Sequence, residues 1–372
     1  MRLGNHSALL PAILALLLFC AHHDVCAQWV ATSKPLDMSI KALASNSTML
    51  FVGGDCYDQV TKKVFGCVFR SSNKGNDWQK TSLKGDVLRA LAVSGQVVFA
   101  GCYDGVYRSS DNGQTWAKGT KGLSDTSVWS LAISGQNVLA GTESAGVFLS
   151  DFSGQIWKPT TLKNTRVDSM AANATSVLAG TEGDGIWLST DGGQTWQDIT
   201  KGIPDSFVLA VGFKGTTIFG ASMEHGIYLS TTNGKAWMKV NDTPGLRAIV
   251  PVSGSVFASG NGGGPLSSDT AGQTWVVINK GLGSKALYGV WSLAGQGADI
   301  FAGGDDHVVY RIADVSPITK LMNYTKFLLT IDGCQPAAGR TGAYICYTRA
   351  GLSKCQDLER AGKVGACFTP RN

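Results

Sequence analysis

The sequence predicts an all-β protein: a seven-bladed β-propeller of four-stranded antiparallel blades, followed by a small cysteine-rich tail. Three observations carry that expectation. Six tryptophans, Trp78, Trp116, Trp157, Trp196, Trp237 and Trp275, recur at spacings of 38, 41, 39, 41 and 38 residues. A fixed period near forty marks a repeat architecture, and that length suits the four short strands of one propeller blade. Each unit also breaks into short apolar runs divided by glycine turns, the pattern of antiparallel strands. The composition agrees, because 47 glycines and a charged fraction of only 16% suit a chain of tight turns.

One unit shows the reading for all. "SVWSLAISG" (127–135) alternates as an inner strand, and "QNVLAGTE" (136–143) follows as a second. "AGVFLS" (145–150) is a third, and "IWKPTT" (156–161) is a fourth. Six units carry a common turn before the fourth strand. The seventh, "LYGVWSLAGQGADIFAGGDDHVVYRIAD" (287–314), supplies three strands and stops. Its fourth is expected from "QWVATSK" (28–34), so that the two ends of the repeat array close the ring and leave no open sheet edge.

The common turn reads "SSDNGQTW" at 109–116 and "STDGGQTW" at 189–196. A short acidic side chain can accept hydrogen bonds from backbone N–H groups ahead of it. Gly113 and Gly193 allow a positive φ, and the tryptophan is expected to bury its ring between blades. These residues resemble the Asp box, the S-x-D-x-G-x-x-W repeat of propellers in sialidases, sortilin-type receptors and the photosystem II assembly factor. The resemblance covers nearly all of 28–314. The acid is kept as Asp111, Asp191 and Asp269; Asn73, Phe152 and Thr232 replace it, and the turn at Ser267 holds one extra residue. The resemblance implies a structural turn on the rim, away from the ligand face.

The leading 1–27 has one Arg, an apolar run from Ala8 to Phe19 and small residues at Val25-Cys26-Ala27, the pattern of a cleaved signal peptide. The run is short for a membrane span, and no later segment is apolar enough, so a secreted protein without membrane insertion is expected. Residues 28–316 are assigned to the propeller and 317–372 to a tail stapled by disulfides. Beyond residue 27, seven cysteines remain, an odd number in a compartment where disulfides form. Cys56 and Cys67 flank a long hairpin loop and are expected to pair, with a Cys56–Cys102 link as the alternative. The tail cysteines Cys334, Cys346, Cys355 and Cys367 allow three pairings. The tail is basic and suits an acidic surface or plain solvation. Asn46, Asn173, Asn241 and Asn323 sit in triplets that accept N-linked glycans in a eukaryotic host.

A net charge of +5 without a dense Lys/Arg run argues against nucleic acid. No zinc-type spacing, nucleophile elbow or phosphate-cradling loop is present, so no metal or cofactor is expected. Propeller ligands usually lie on the face that carries the loops between second and third strands. Those loops are acidic here and include Asp55, Asp58, Asp104, Glu143, Glu182, Asp184, Glu224, Asp305 and Asp306, with His225 and His307 beside them. The inner strands begin on the same side, at Lys41, Arg89, Trp129, Asp168, Leu209, Arg247 and, in the last unit, Gly289. Arginine offers paired donors and tryptophan a stacking face. Candidate ligand residues are therefore Lys41, Arg89, Trp129, Asp168, Arg247, Glu143, Glu182 and Asp184.

The sialidase branch of the resemblance implies an arginine cluster and a Phe/Tyr-Arg-Ile-Pro signature. The nearest tetrapeptide is "YRIA" (310–313), at the wrong end, and no third arginine aligns with Arg89 and Arg247. The expected function is a non-catalytic extracellular propeller that binds glycan or protein, with its oligomeric state open. A glycoside hydrolase or lyase using the acidic loops is one alternative, and a matrix or assembly scaffold is another.

Overall fold

The computed structural model describes residues 28–315 apart from 34–35, 262–263, 270 and 287–288, and the backbone of two tail strands, Cys334–Pro336 and Tyr344–Cys346. The segment 1–27 expected to be a signal, Asn323 and the tail pairings lie outside the described residues. Residues Trp29–Ser316 form one compact unit. The two tail strands belong to another and pair antiparallel, with Cys334 opposite Cys346.

Seven four-stranded antiparallel sheets make up the larger unit, and no α-helix occurs among the described residues. Blade 1 runs through Met38–Ser45, Leu50–Tyr57, Val64–Ser71 and Gln79–Lys80, innermost strand first. Blades 2 to 6 repeat that order, with innermost strands Leu88–Ser94, Val128–Ser134, Val167–Ala172, Val208–Lys214 and Leu246–Val252. Blade 7 takes Val290–Gln296, Asp299–Gly304 and Val309–Ile312 from the end of the array and Val30–Ala31 from its start. Val30 pairs with Arg311 and Ala31 with Tyr310, so the ring closes as the sequence predicts.

Blades are held by their neighbours. The second strands are buried along almost their whole length, because a blade covers each face of them. Phe51, Phe99, Leu139, Leu178, Phe219, Phe257 and Phe301 occupy matching positions there and are all fully buried. Each contributes roughly 1.5–3 kcal/mol on burial. Close approach requires glycine beside them. A Cβ on Gly101 would lie 2.7 Å from Val128 of blade 3, and one on Gly303 would lie 2.7 Å from Ile40 across the closing seam.

Among the described residues, six apolar clusters each join two consecutive blades, and each includes one of the repeated tryptophans from the later blade. Trp157 is fully buried, and the other five are half-buried against their clusters. The seam between blades 6 and 7 uses Trp29. It is 1% exposed, stands just before the fourth strand of blade 7, and donates its indole N–H to the Ile278 carbonyl. The chain start therefore delivers a seventh tryptophan, which the period count overlooks because it lies before the first repeat.

The repeated turns hold themselves. Asp111 Oδ1 accepts the N–H groups of Gln114 and Thr115 at 2.9 Å, and Ser109 Oγ accepts that of Gly113 at 2.8 Å. Asp191 and Ser189 repeat the pattern. Asn73 accepts from Asp77 N–H at 2.9 Å, and Thr232 Oγ1 from Ala236 N–H at 2.9 Å, so a neutral oxygen serves too. Where Phe152 replaces the acid, the preceding Asp151 accepts the Ser153 N–H at 3.0 Å and Ser153 Oγ accepts the Gln155 N–H at 3.3 Å. Cys56 and Cys67 are joined, and Cys102 is a free, buried thiol.

Candidate functional site

Each innermost strand slips register near its start, after the first residue in blades 2 to 7 and after the third in blade 1. The shift falls between Ile40 and Ala42, Leu88 and Ala90, Val128 and Ser130, Val167 and Ser169, Val208 and Ala210, Leu246 and Ala248, and Val290 and Ser292. A bulge of this kind leaves one residue unpaired and re-aims its side chain. The residues so presented are Lys41, Arg89, Trp129, Asp168, Leu209, Arg247 and Trp291. Six agree with the sequence reading. The seventh is Trp291 rather than Gly289, because the bulge follows Val290 as it follows Val128. The identical pentapeptides "VWSLA" at 128–132 and 290–294 carried that signal.

Two tryptophans on well-separated blades each gather two cations. Arg166 stacks 3.7 Å from the Trp129 ring centre, and Arg89 lies 5.3 Å from it. Lys41 and Arg247 each stand 5.4 Å from the Trp291 centre. Such contacts are electrostatic attractions between a cation and the negative ring face. Tyr103 extends the first group, 5.8 Å from Trp129, and its hydroxyl meets the Arg89 guanidinium at 3.2 Å. The sequence reading did not single out Arg166 or Tyr103. Arg166 precedes its strand, where no period applies, and Tyr103 lies in a loop chosen for its acids.

The acidic loops supply counter-charges. Arg166 contacts Glu182 at 2.6 Å, Asp168 at 3.0 Å and Glu143 at 3.8 Å, and Trp129 donates its indole N–H to Glu143. Arg89 pairs with Asp55 at 3.3 Å, and Lys41 with Asp305 at 3.2 Å. Asp168 is 4% exposed in its side chain; burial pushes its pKa up, with the Arg166 charge opposing. Burial also pulls the Arg247 guanidinium down. Four buried polar atoms here have no hydrogen-bond partner: Arg166 Nε, Asp168 Oδ2, Arg247 Nε and Trp291 Nε1.

Other predicted residues stay apart. Asp184 makes no ion pair among the described residues; its N–H is held by Thr181. His307 bonds the Met38 carbonyl, while His225 stands 3.9 Å from Asp205. No group of three metal-ligating side chains converges among the described residues. Of the sequon asparagines, Asn46 donates to Gly95 and Asn112, Asn173 donates to Gly215, and Asn241 accepts from Thr243.

No family model and no curated protein matches this chain. Solved structures do. The computationally designed Ika8 protein is 14% identical with a TM-score of 0.54, over 76% of this chain and 99% of that one. YCF48 bound to D1 peptide is 15% identical with a TM-score of 0.61, over 77% and 96%. YCF48 from Cyanidioschyzon merolae is 15% identical with a TM-score of 0.57, over 77% and 99%. At these identities the likeness defines a class of fold, the seven-bladed β-propeller.

Proposed function

We propose that the protein is a secreted, non-catalytic propeller that binds a protein ligand through the channel-mouth face. The observation that carries the reading is the pair of cation–tryptophan–cation groups there, with buried donors left unsatisfied beside them. Aromatic and arginine side chains are the usual anchors of protein recognition. Both rings already carry cations, which compete with a sugar for the stacking surface. The carboxylates a hydrolase would need are gathered on one guanidinium, Arg166, rather than set as two facing groups across a gap. A peptide-bound YCF48 with the same fold adds support from a distant neighbour.

A random-peptide display library and a glycan array, both probed with the full chain, test this. The expected result is peptide enrichment that falls at least tenfold for Trp129→Ala, with no sugar retained. Sugar retention, or enrichment indifferent to Trp129, overturns it.

A further inference from the structure

We infer that the channel mouth takes a paired acidic and basic side chain from its ligand, the carboxylate on Arg247 and Trp291 and the cation on Asp168. The inference rests on the peptide-binding reading above and specifies what such a peptide must present.

The four mouth cations are not equivalent. Lys41, Arg89 and Arg166 each hold a carboxylate within 3.3 Å. Arg247 holds none among the described residues, and its Nε is buried without a partner. The neighbouring Trp291 indole N–H is in the same condition. Two unsatisfied donors beside each other, one of them charged, fit a carboxylate, since an ionised acceptor makes the stronger hydrogen bond.

The other side of the mouth has the opposite character. Glu143, Asp168 and Glu182 share the single guanidinium of Arg166, which leaves negative charge in excess. Asp168 spends Oδ1 on Arg166, and its buried Oδ2 has no partner. The charge of Arg247 reaches Asp168, yet the two form no ion pair. The mouth thus holds a buried acceptor without a donor and, within electrostatic reach of it, a buried guanidinium nitrogen without an acceptor. A ligand with one charge satisfies half of this; a run of acids is repelled by Asp168, Glu143 and Glu182. Neighbouring acidic and basic side chains satisfy both halves.

The test follows the Trp291 indole N–H by ¹H–¹⁵N NMR in the full chain, assigned by its loss in Trp291→Phe. The probes are acetylated, amidated dipeptides: Asp-Lys in both orders, Asp-Ala and Ala-Lys, with glucuronate alongside. One order of Asp-Lys is expected to shift the resonance and to bind at least tenfold more tightly than either single-charge probe. Arg247→Gln should abolish the shift, and Arg247→Lys, which keeps the charge but not Nε, should restore part of it. Asp168→Asn should remove the tenfold advantage and leave Asp-Ala unchanged. Equal binding of Asp-Ala and Asp-Lys, no response to any dipeptide, a shift that survives Arg247→Gln, or a glucuronate response matching Asp-Lys would each overturn the inference. Display peptides that depend on Trp129 but lack a charge pair would sink this inference alone and leave peptide binding standing.

Discussion

Asp111 shows how little chemistry a rim turn needs. Its carboxylate closes two backbone bonds and meets the Ser109 and Thr115 hydroxyls at 2.6 Å. What burial it has pushes the pKa up, but those hydroxyl and N–H donors prevail and hold it at about 2; Asp191 is held at about 2 in the same way. Asp111→Ala is expected to cost roughly 1–3 kcal/mol in denaturant unfolding, as a charged acceptor of several bonds is lost. Asp111→Asn should cost less, because Asn73 already fills this role in blade 1. A depressed carboxylate stabilises the fold above its unfolded pKa, near 4, and that contribution drains as pH falls toward the folded value. Melting temperature should therefore drop between pH 4 and pH 2, and the slope should be shallower in the Asp111→Asn, Asp191→Asn double variant. Parallel slopes would show that other groups dominate acid unfolding.

At the level of elements, six of the seven tryptophans alternate around the ring, Trp78 of blade 1 being the exception. Trp116, Trp196 and Trp275, in blades 2, 4 and 6, donate to glycine carbonyls of their own turns at 3.0 Å. Trp157, Trp237 and Trp29, in blades 3, 5 and 7, reach back to Gly119, Ile199 and Ile278 of the preceding blade. Even blades keep the acid and odd blades lack it, so the turn with the stronger internal lock also keeps its indole. The closing strand is only two residues long, and Trp29 gives it grip beyond its ladder. Trp29→Ala is expected to cost about 3–5 kcal/mol, the usual range for emptying a buried aromatic site. Trp78→Ala should cost clearly less, because that ring is half-buried and its N–H has no partner. Equal losses in urea titrations of the two variants would refute a special role for the seam.

For the whole molecule, the Cys56–Cys67 link braces two neighbouring strands of blade 1. It closes the loop of blade 1 next to Asp55, which pairs with Arg89 and also accepts the Leu88 N–H from blade 2. A double Cys56→Ser, Cys67→Ser variant should lose about 2–3 kcal/mol, as expected for a short closed loop, and should weaken peptide binding at the mouth. Cys102 lies in the interface between blades 1 and 2, and burial pushes its thiol far up. Mass mapping after iodoacetamide treatment should find Cys102 unmodified in the folded protein and modified only above the unfolding midpoint. Fast labelling under native conditions would mean that this interface opens.

The chain order alone determined the architecture, because a period near forty with glycine-split apolar runs has few other solutions. It also determined the closing strand, since three strands at one end and one at the other complete a blade. Six of the seven inner-strand entries read from the repeat coincide with bulge residues, and the hairpin loop flanked by Cys56 and Cys67 favoured their bond over a Cys56–Cys102 link. Only the tertiary structure decided which residues meet at the mouth. Arg166, Tyr103 and Trp291 reach it from a loop, a loop and a misaligned strand, and a register slip of one residue turns a side chain to another face. Nor does periodicity rank cations: whether Arg247 has a carboxylate beside it depends on where neighbouring blades place theirs, and that is fixed only when the sheets are stacked in a ring.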